Sequence, residues 1–333
     1  QLTCLKALEE FWESPERCFI LHADRGRGKS AVLGLFLAGV AKQAAKLRKR
    51  LRLLITSPRE ENVSTLLDFL KLGLKRLRVG MEGKKEMKIG EVVKLVYLRP
   101  AKALESTCDL LIVDEAAGIP LTLLIKFAKR FEKVIFSTTT HGYEGAGKSF
   151  AIRFRAYLKE NEISTKEVTM LEPIRYSSDD ELEKFAFNAF LLDAEPSELG
   201  ERDRRDVAMK RYVFKEIELE KLFRDEKALR DYAGIYAIAH YRFRPRDLAI
   251  LADSPHHRAS AVVTRSGKLI CSVHACEEGC LTEEQIGEEL KSRRASKGNV
   301  VPLVLMKHYR CAEVARLKAV SYTHLTLPTT ERV

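Results

Sequence analysis

Apolar and polar positions fall into two textures along this chain, and the change between them divides it. In the first texture short apolar runs alternate with segments of helical period. Cys18 to His22 is a strand-length apolar run, a glycine-rich turn follows, and a helical pattern extends from about Lys29 to Leu47. Leu51 to Thr56 reads as a second strand closed by Ser57-Pro58, and Val63, Leu66, Leu67 and Leu70 then recur at helical spacing. Val92 to Leu98 and Asp109 to Val113 are further strands, Leu121 to Phe131 is helical, and Val134 to Ser137 is a strand again. Strands alternating with helices of this length predict an α/β fold, a mostly parallel sheet with helices on both faces. From about Asp179 the pattern passes to charged helices and a very polar stretch, Glu195 to Arg211. Ala261 to Thr264 and Leu269 to His274 then read as two strands around Ser266-Gly267, a hairpin signal. A second α/β unit is therefore expected to begin between Leu192 and Tyr236.

Length and composition fit that division. A chain of 333 residues with 45% hydrophobic positions has room for two ordinary cores. No run of eighteen apolar residues is present, and Ala31 to Val40 is too short to cross a bilayer, so no membrane span is expected. Lys and Arg exceed Asp and Glu by 58 to 47, a net charge of +11, which favours polyanionic partners and nucleic acid first. Two basic stretches stand out. Lys42 to Arg52 falls on the polar face of the first long helix and reads as solvated, whereas Lys71 to Lys88 bears glycine and reads as a loop able to touch RNA. Seven scattered cysteines imply reduced thiols and a cytoplasmic setting. Cys271, His274, Cys276 and Cys280 cluster, but their spacing does not match paired zinc knuckles, and buried strand thiols are the better reading. His256-His257 is expected in a solvated turn.

The chemistry sits in the first texture. Ala23-Asp24-Arg25-Gly26-Arg27-Gly28-Lys29-Ser30 follows a strand and opens a helix, the context of a phosphate-binding loop, although Ala23 stands where the pattern has glycine. Gly142-Tyr-Glu-Gly-Ala-Gly147-Lys148-Ser149 matches that pattern letter for letter. Context favours the earlier loop. It is followed by Leu110-Leu-Ile-Val-Asp114-Glu115, an apolar strand ending in the acidic pair that nucleotide hydrolases use. Asp114 would hold Mg²⁺ through its water shell together with Ser30, and Glu115 would polarise the attacking water. The 142–149 segment is then a loop after the Ser137-Thr138-Thr139-Thr140 strand end.

Taken together these segments resemble the RNA cytidine acetyltransferases. The resemblance is carried by Ala23 to Ser30, by Val113-Asp-Glu-Ala-Ala117 with Ile119-Pro120, and by Thr140-His-Gly-Tyr-Glu-Gly145. It continues through Pro173-Ile-Arg-Tyr176, Ala239-His-Tyr-Arg242 with Pro245-Arg-Asp-Leu248, and Asp253-Ser-Pro255, in family order over about residues 1–319. The alanine at 23 is that family's own habit. The resemblance implies a RecA-like, helicase-related P-loop ATPase joined to a GNAT-type acetyltransferase, with ATP, Mg²⁺ and acetyl-CoA as cofactors and RNA, most often tRNA, as partner. It implies ATP contacts at Gln1, Arg25, Gly26, Arg27, Gly28, Lys29, Ser30, Ala31 and Arg175, with Glu115 catalytic. The expected domains are 1–193 for the ATPase and 194–319 for the opening of the transferase. Gly298-Asn-Val-Val-Pro302 resembles the segment before the acetyl-CoA motif, and the glycine-rich pyrophosphate loop expected after Ala319 does not follow. Residues 320–333 resemble translated adapter sequence and are expected to stand outside the fold.

Overall fold

The structure is a computed structural model and describes residues 1–83, 86–139, 147–239, 244–291 and 298–326, with the side chains of 147–152, 238–239 and 322–326 outside the description. It separates into two compact units, Gln1–Leu192 and Asp193–Val333.

Eight strands form the sheet of the first unit: β1 Cys18–Ala23, β2 Leu51–Thr56, β3 Met81–Glu82, β4 Glu86–Ile89, β5 Val93–Tyr97, β6 Leu110–Val113, β7 Val134–Thr138 and β8 Thr165–Met170. Their order is β3-β4-β5-β2-β6-β7-β1-β8. From β5 to β8 every neighbouring pair is parallel, and the short β3 and β4 add an antiparallel edge. Strands with both faces covered are apolar throughout rather than alternating, which explains the unbroken runs in the sequence. In β1, Phe19, Leu21 and Ala23 join one apolar cluster while Cys18 and Ile20 join the cluster on the opposite face. The helices therefore lie on both sides.

The helix Lys29–Leu47 is the longest element and packs closely on the helix Ser64–Leu77. Glycines permit that approach. A Cβ at Gly34 would collide with the Leu66 carbonyl oxygen, and one at Gly73 would lie 2.7 Å from the Ala38 Cβ. Although long and apolar enough to cross a membrane by composition, Lys29–Leu47 is a core helix here, with Val32, Leu33, Phe36 and Leu37 all buried. Lys46 to Arg50 are exposed, as read from the sequence. The second basic stretch is not the loop expected: Lys71 to Arg76 are helical, and Met81–Glu82 and Glu86–Ile89 form the β3–β4 edge.

In the second unit β9 Tyr212–Ile217, β10 His257–Thr264, β11 Leu269–Gly279 and β12 Lys318–Thr326 form an antiparallel sheet in the order β12-β11-β10-β9. The expected hairpin is present with both strands longer than read. Two expectations need correction. Residues 320–326 do not stand outside the fold, because they extend β12 along β11, with Val320 opposite Glu277. A backbone that pairs in a ladder satisfies its polar groups whatever its side chains are, which composition does not reveal. His257 is not in a solvated turn either: it opens β10, with its Nδ1 2.6 Å from His274 Nε2. All seven cysteines are free, Cys271 buried and Cys280 exposed. No cluster of three or more His, Cys, Asp or Glu side chains able to hold a metal occurs among the described residues.

The helix crossing yields a paired test. Gly34→Ala should destabilise the chain by about 1–3 kcal/mol through overpacking. Gly39→Ala, on the same helix with open space around it, should stabilise it by about 0.5–1 kcal/mol. Urea unfolding of both variants measures the difference, and equal midpoints would contradict the close crossing.

Candidate nucleotide site

Ala23 to Ser30 and Asp114-Glu115 meet at the carboxyl edge of the parallel sheet. Register places them there, since Thr56 pairs with Val113, and Val113 with Phe136, so β2, β6 and β7 end level. β7 lies between β1 and β6 and delivers Ser137, Thr138 and Thr139 to the same edge, all buried.

The loop's backbone explains its letters. Gly26 and Gly28 have φ of +79° and +84°, a region open to glycine and costly for other residues. Ala23 is the last residue of β1, in ordinary strand conformation, so glycine is not required there. Gly28 caps the helix Lys29–Leu47, whose first N–H groups face the loop as an anion-binding end. The Lys29 ammonium is buried and donates to the carbonyls of Ala23 at 2.8 Å and Asp24 at 3.2 Å. Burial lowers its pKa, against the opposing pull of Glu115 and Asp114.

Ser30 Oγ donates to Asp114 Oδ2 at 2.9 Å, joining the helix to β6. Asp114 has no exposed surface, and burial together with the neighbouring Glu115 charge pushes its pKa up to about 6. Its other oxygen accepts from the Glu115 N–H at 3.1 Å. Glu115 itself sits at φ +51°, a left-handed conformation rare for a glutamate and common at functional sites. Its carboxylate is held by Thr139, which donates from Oγ1 to Oε2 at 3.1 Å. Sequence reasoning passed over Thr139, and the available signal was the run of four hydroxyl residues ending an apolar strand.

The other expected residues fall as follows. Gln1 lies against the loop, where a Cβ at Gly28 would strike its side-chain amide. Ala31 is buried in the first turn of the helix, and Arg25 is exposed at the loop's outer side. Arg175 is exposed beside the loop, next to Ile174, whose N–H donates to the Gly26 carbonyl at 3.1 Å. The Arg27 guanidinium is engaged by Glu183, Tyr176 and the Leu171 carbonyl. Most of the competing 142–149 segment lies outside the described residues, as does His240-Tyr241-Arg242. Gly147 begins the helix Gly147–Glu160.

A parallel sheet with a glycine loop, a buried lysine and a strand-end acidic pair at its carboxyl edge defines the first unit as a P-loop NTPase fold. The family is then fixed by comparison. The model for "RNA cytidine acetyltransferase NAT10/TcmA, helicase domain" matches residues 20–193, and that for "GNAT acetyltransferase 2" matches residues 231–324. The chain belongs to the RNA cytidine acetyltransferase family. It is 40% identical over 324 residues to the tRNA(Met) cytidine acetyltransferase TmcA of Thermococcus kodakarensis, covering 96% of this chain and 39% of that protein. The corresponding Thermofilum pendens protein is 37% identical over 96% of this chain and 41% of its own length. The chain thus spans about two fifths of these relatives. Among solved structures, the large terminase from a thermophilic bacteriophage aligns with TM-score 0.42 and 13% identity over 56% of this chain and 50% of that one. The Pif1 helicase of Candida albicans aligns with TM-score 0.34 and 12% identity over 99% of this chain and 76% of that one.

The buried carboxylate gives a pH-dependent prediction for the nucleotide-free, metal-free protein. Folding raises the Asp114 pKa from about 3.9 to about 6, so the folded state holds the proton longer. Stability is therefore lost as pH rises from about 4 to about 6 and stays reduced above that, by about 3 kcal/mol. Asp114→Asn should unfold at higher urea than the wild type at pH 7.5, with the gap closing by pH 4. Destabilisation by Asn at pH 7.5 would contradict the assigned environment.

Proposed function

We propose that this chain is the ATP-hydrolysing part, with a portion of the transferase, of an RNA cytidine N4-acetyltransferase acting on tRNA. The first unit would be the motor and the second would begin the transferase. The observation that carries the reading is the meeting of Lys29, Ser30, Asp114 and Glu115 at one sheet edge, in a chain whose second unit matches an acetyltransferase family.

A magnesium nucleotide suits this donor set. The N–H groups from Gly26 to Ser30 would form the phosphate cradle, on a backbone that is left-handed at Gly26 and Gly28, and the Lys29 ammonium rests on carbonyls it can exchange for phosphate oxygens. The Ser30 hydroxyl and Asp114 supply oxygen ligands to the metal, the carboxylate through water. A cation would also offset the burial and the neighbouring Glu115 charge that raise the Asp114 pKa. Glu115, turned by its left-handed backbone and held by Thr139, would orient the attacking water. Arg175 would meet the phosphates as charge builds on them. Gln1, whose side-chain amide lies against Gly28, would read the nucleotide.

Acetyl-CoA would supply the acyl group as a thioester. The cytosine N4 would form the new amide bond, the carbon–sulfur bond would break, and the thiol would leave with the N4 proton. A cytosine within a stacked stem is out of reach of that chemistry, so hydrolysis by the first unit would serve to expose it. The surplus of 58 basic over 47 acidic residues supports an RNA partner.

Two measurements test the reading. Lys29→Ala should abolish RNA-stimulated ATP hydrolysis, whereas Lys148→Ala should leave nucleotide affinity within about threefold of wild type; the opposite pattern would move the site to the second loop. Mass spectrometry of tRNA incubated with the full-length protein, ATP and acetyl-CoA should show acetylated cytidine, and its absence would overturn the transferase assignment.

A further inference from the structure

Arg27 stands between the two loop glycines, where the backbone N–H groups are expected to face phosphate. Its side chain is buried, and its Nε and Nη1 are engaged by residues 171–183 and the Arg25 carbonyl. Nε donates to the Leu171 carbonyl at 2.9 Å, and Nη1 lies 2.6 Å from Glu183 Oε1, 2.9 Å from the Tyr176 hydroxyl and 3.1 Å from the Arg25 carbonyl. The Tyr176 hydroxyl is in turn 2.9 Å from the same Glu183 oxygen. Glu183 is in the first turn of the helix Glu181–Phe190, capped by Asp180, so its position is fixed by that helix.

The consequence is a strap. Leu171, Tyr176 and Glu183 all converge on one loop side chain, and the chain between them is drawn onto the loop. Ile174 donates its N–H to the Gly26 carbonyl at 3.1 Å. A Cβ at Gly26 would come within 2.9 Å of the Tyr176 hydroxyl, and one at Gly28 within 2.8 Å of Ile174 Cδ1. Arg175 lies between those two contact points, exposed and without an ion pair or hydrogen bond among the described residues. A guanidinium swung towards phosphate would leave the partly buried Glu183 carboxylate without its cation, a costly arrangement.

We propose that Arg27 is a positioning residue rather than a phosphate ligand: with Glu183 and Tyr176 it latches the segment 171–183 onto the phosphate loop, setting the place of Arg175 and the shape of the loop at Gly26. The inference rests on the nucleotide reading of this site. It predicts that the ion pair acts as one unit and that its loss is felt in turnover more than in nucleotide affinity, since Arg175 acts on charge that grows during phosphoryl transfer.

The test is steady-state ATP turnover and equilibrium binding of a non-hydrolysable ATP analogue, on the full chain with RNA present. Arg27→Lys and Glu183→Gln should each lower kcat by about tenfold or more while the analogue Kd stays within about threefold. The double variant should be no worse than either single one, and in an Arg175→Ala background neither should lower kcat further. The exchanged pair Arg27→Glu with Glu183→Arg should recover part of kcat relative to Arg27→Glu alone. If Arg27 binds phosphate, Arg27→Lys keeps most activity and Glu183→Gln leaves kcat unchanged or tightens binding, and the latch is overturned. Additive losses, or losses that persist without Arg175, overturn it as well. Thermal midpoints within a few degrees of wild type show that the variants are folded. Wild-type turnover that survives Lys29→Ala would instead sink the nucleotide reading, a result distinct from all of these.

Discussion

Asp114 has no exposed surface, yet it is a carboxylate with Glu115 as its immediate neighbour. An uncompensated charge there is expensive, and the surrounding structure is arranged around limiting that cost. Ser30 donates to one oxygen and the Glu115 backbone to the other, and the Lys29 ammonium lies close enough to oppose both acidic charges. Those three groups come from the start of the helix Lys29–Leu47 and the end of β6, so the carboxylate ties two distant stretches of sequence together. On the proposed reading, a magnesium ion held with Ser30 would take up the charge that remains at Asp114.

That arrangement depends on strand order. With β7 between β1 and β6, the loop and the acidic pair are separated by one strand width of about 4.8 Å on each side. The gap is lined by hydroxyls from β7, and Thr139 uses its place there to restrain the Glu115 carboxylate. Apolar clusters on both faces hold the six parallel strands level, and glycine at positions 34 and 73 brings two covering helices close. The site is loose in none of its supports: its loop is backed by the strap of residues 171–176 and its acidic pair by hydroxyls.

Much of this was legible beforehand because it follows from short-range pattern. Apolar runs bounded by turn residues located β1, β2, β5, β6 and β7 within a residue or so, and the helix after the loop was read to its ends. Ala23 in place of glycine has a local reason, since it ends β1 in strand conformation and the left-handed backbone begins only at Gly26. The missed features are those that depend on partners far along the chain. The partner of the Arg27 guanidinium could not be read from its neighbours, because the fold brings Glu183 to it from 156 residues later. Thr139 and Glu115 meet across a strand boundary, and His257 meets His274 across a hairpin whose strand is longer than its apolar core. β12 carries no apolar pattern to announce it, and its place is set by backbone pairing with β11. The basic stretch at 71–88 was misread because glycine suggested a loop, while helical packing of Leu70 and Leu74 decided the backbone.

The central claim is that nucleotide occupies the loop at 23–30 and not the one at 142–149. Hydrogen–deuterium exchange of the full chain with magnesium and a non-hydrolysable ATP analogue tests it most directly. The account predicts slowed exchange in peptides covering Gly26 to Ala31 and Asp114 to Ala116, with 142–149 unchanged. Protection confined to 142–149, or none at Gly26 to Ala31 under saturating nucleotide, would contradict it.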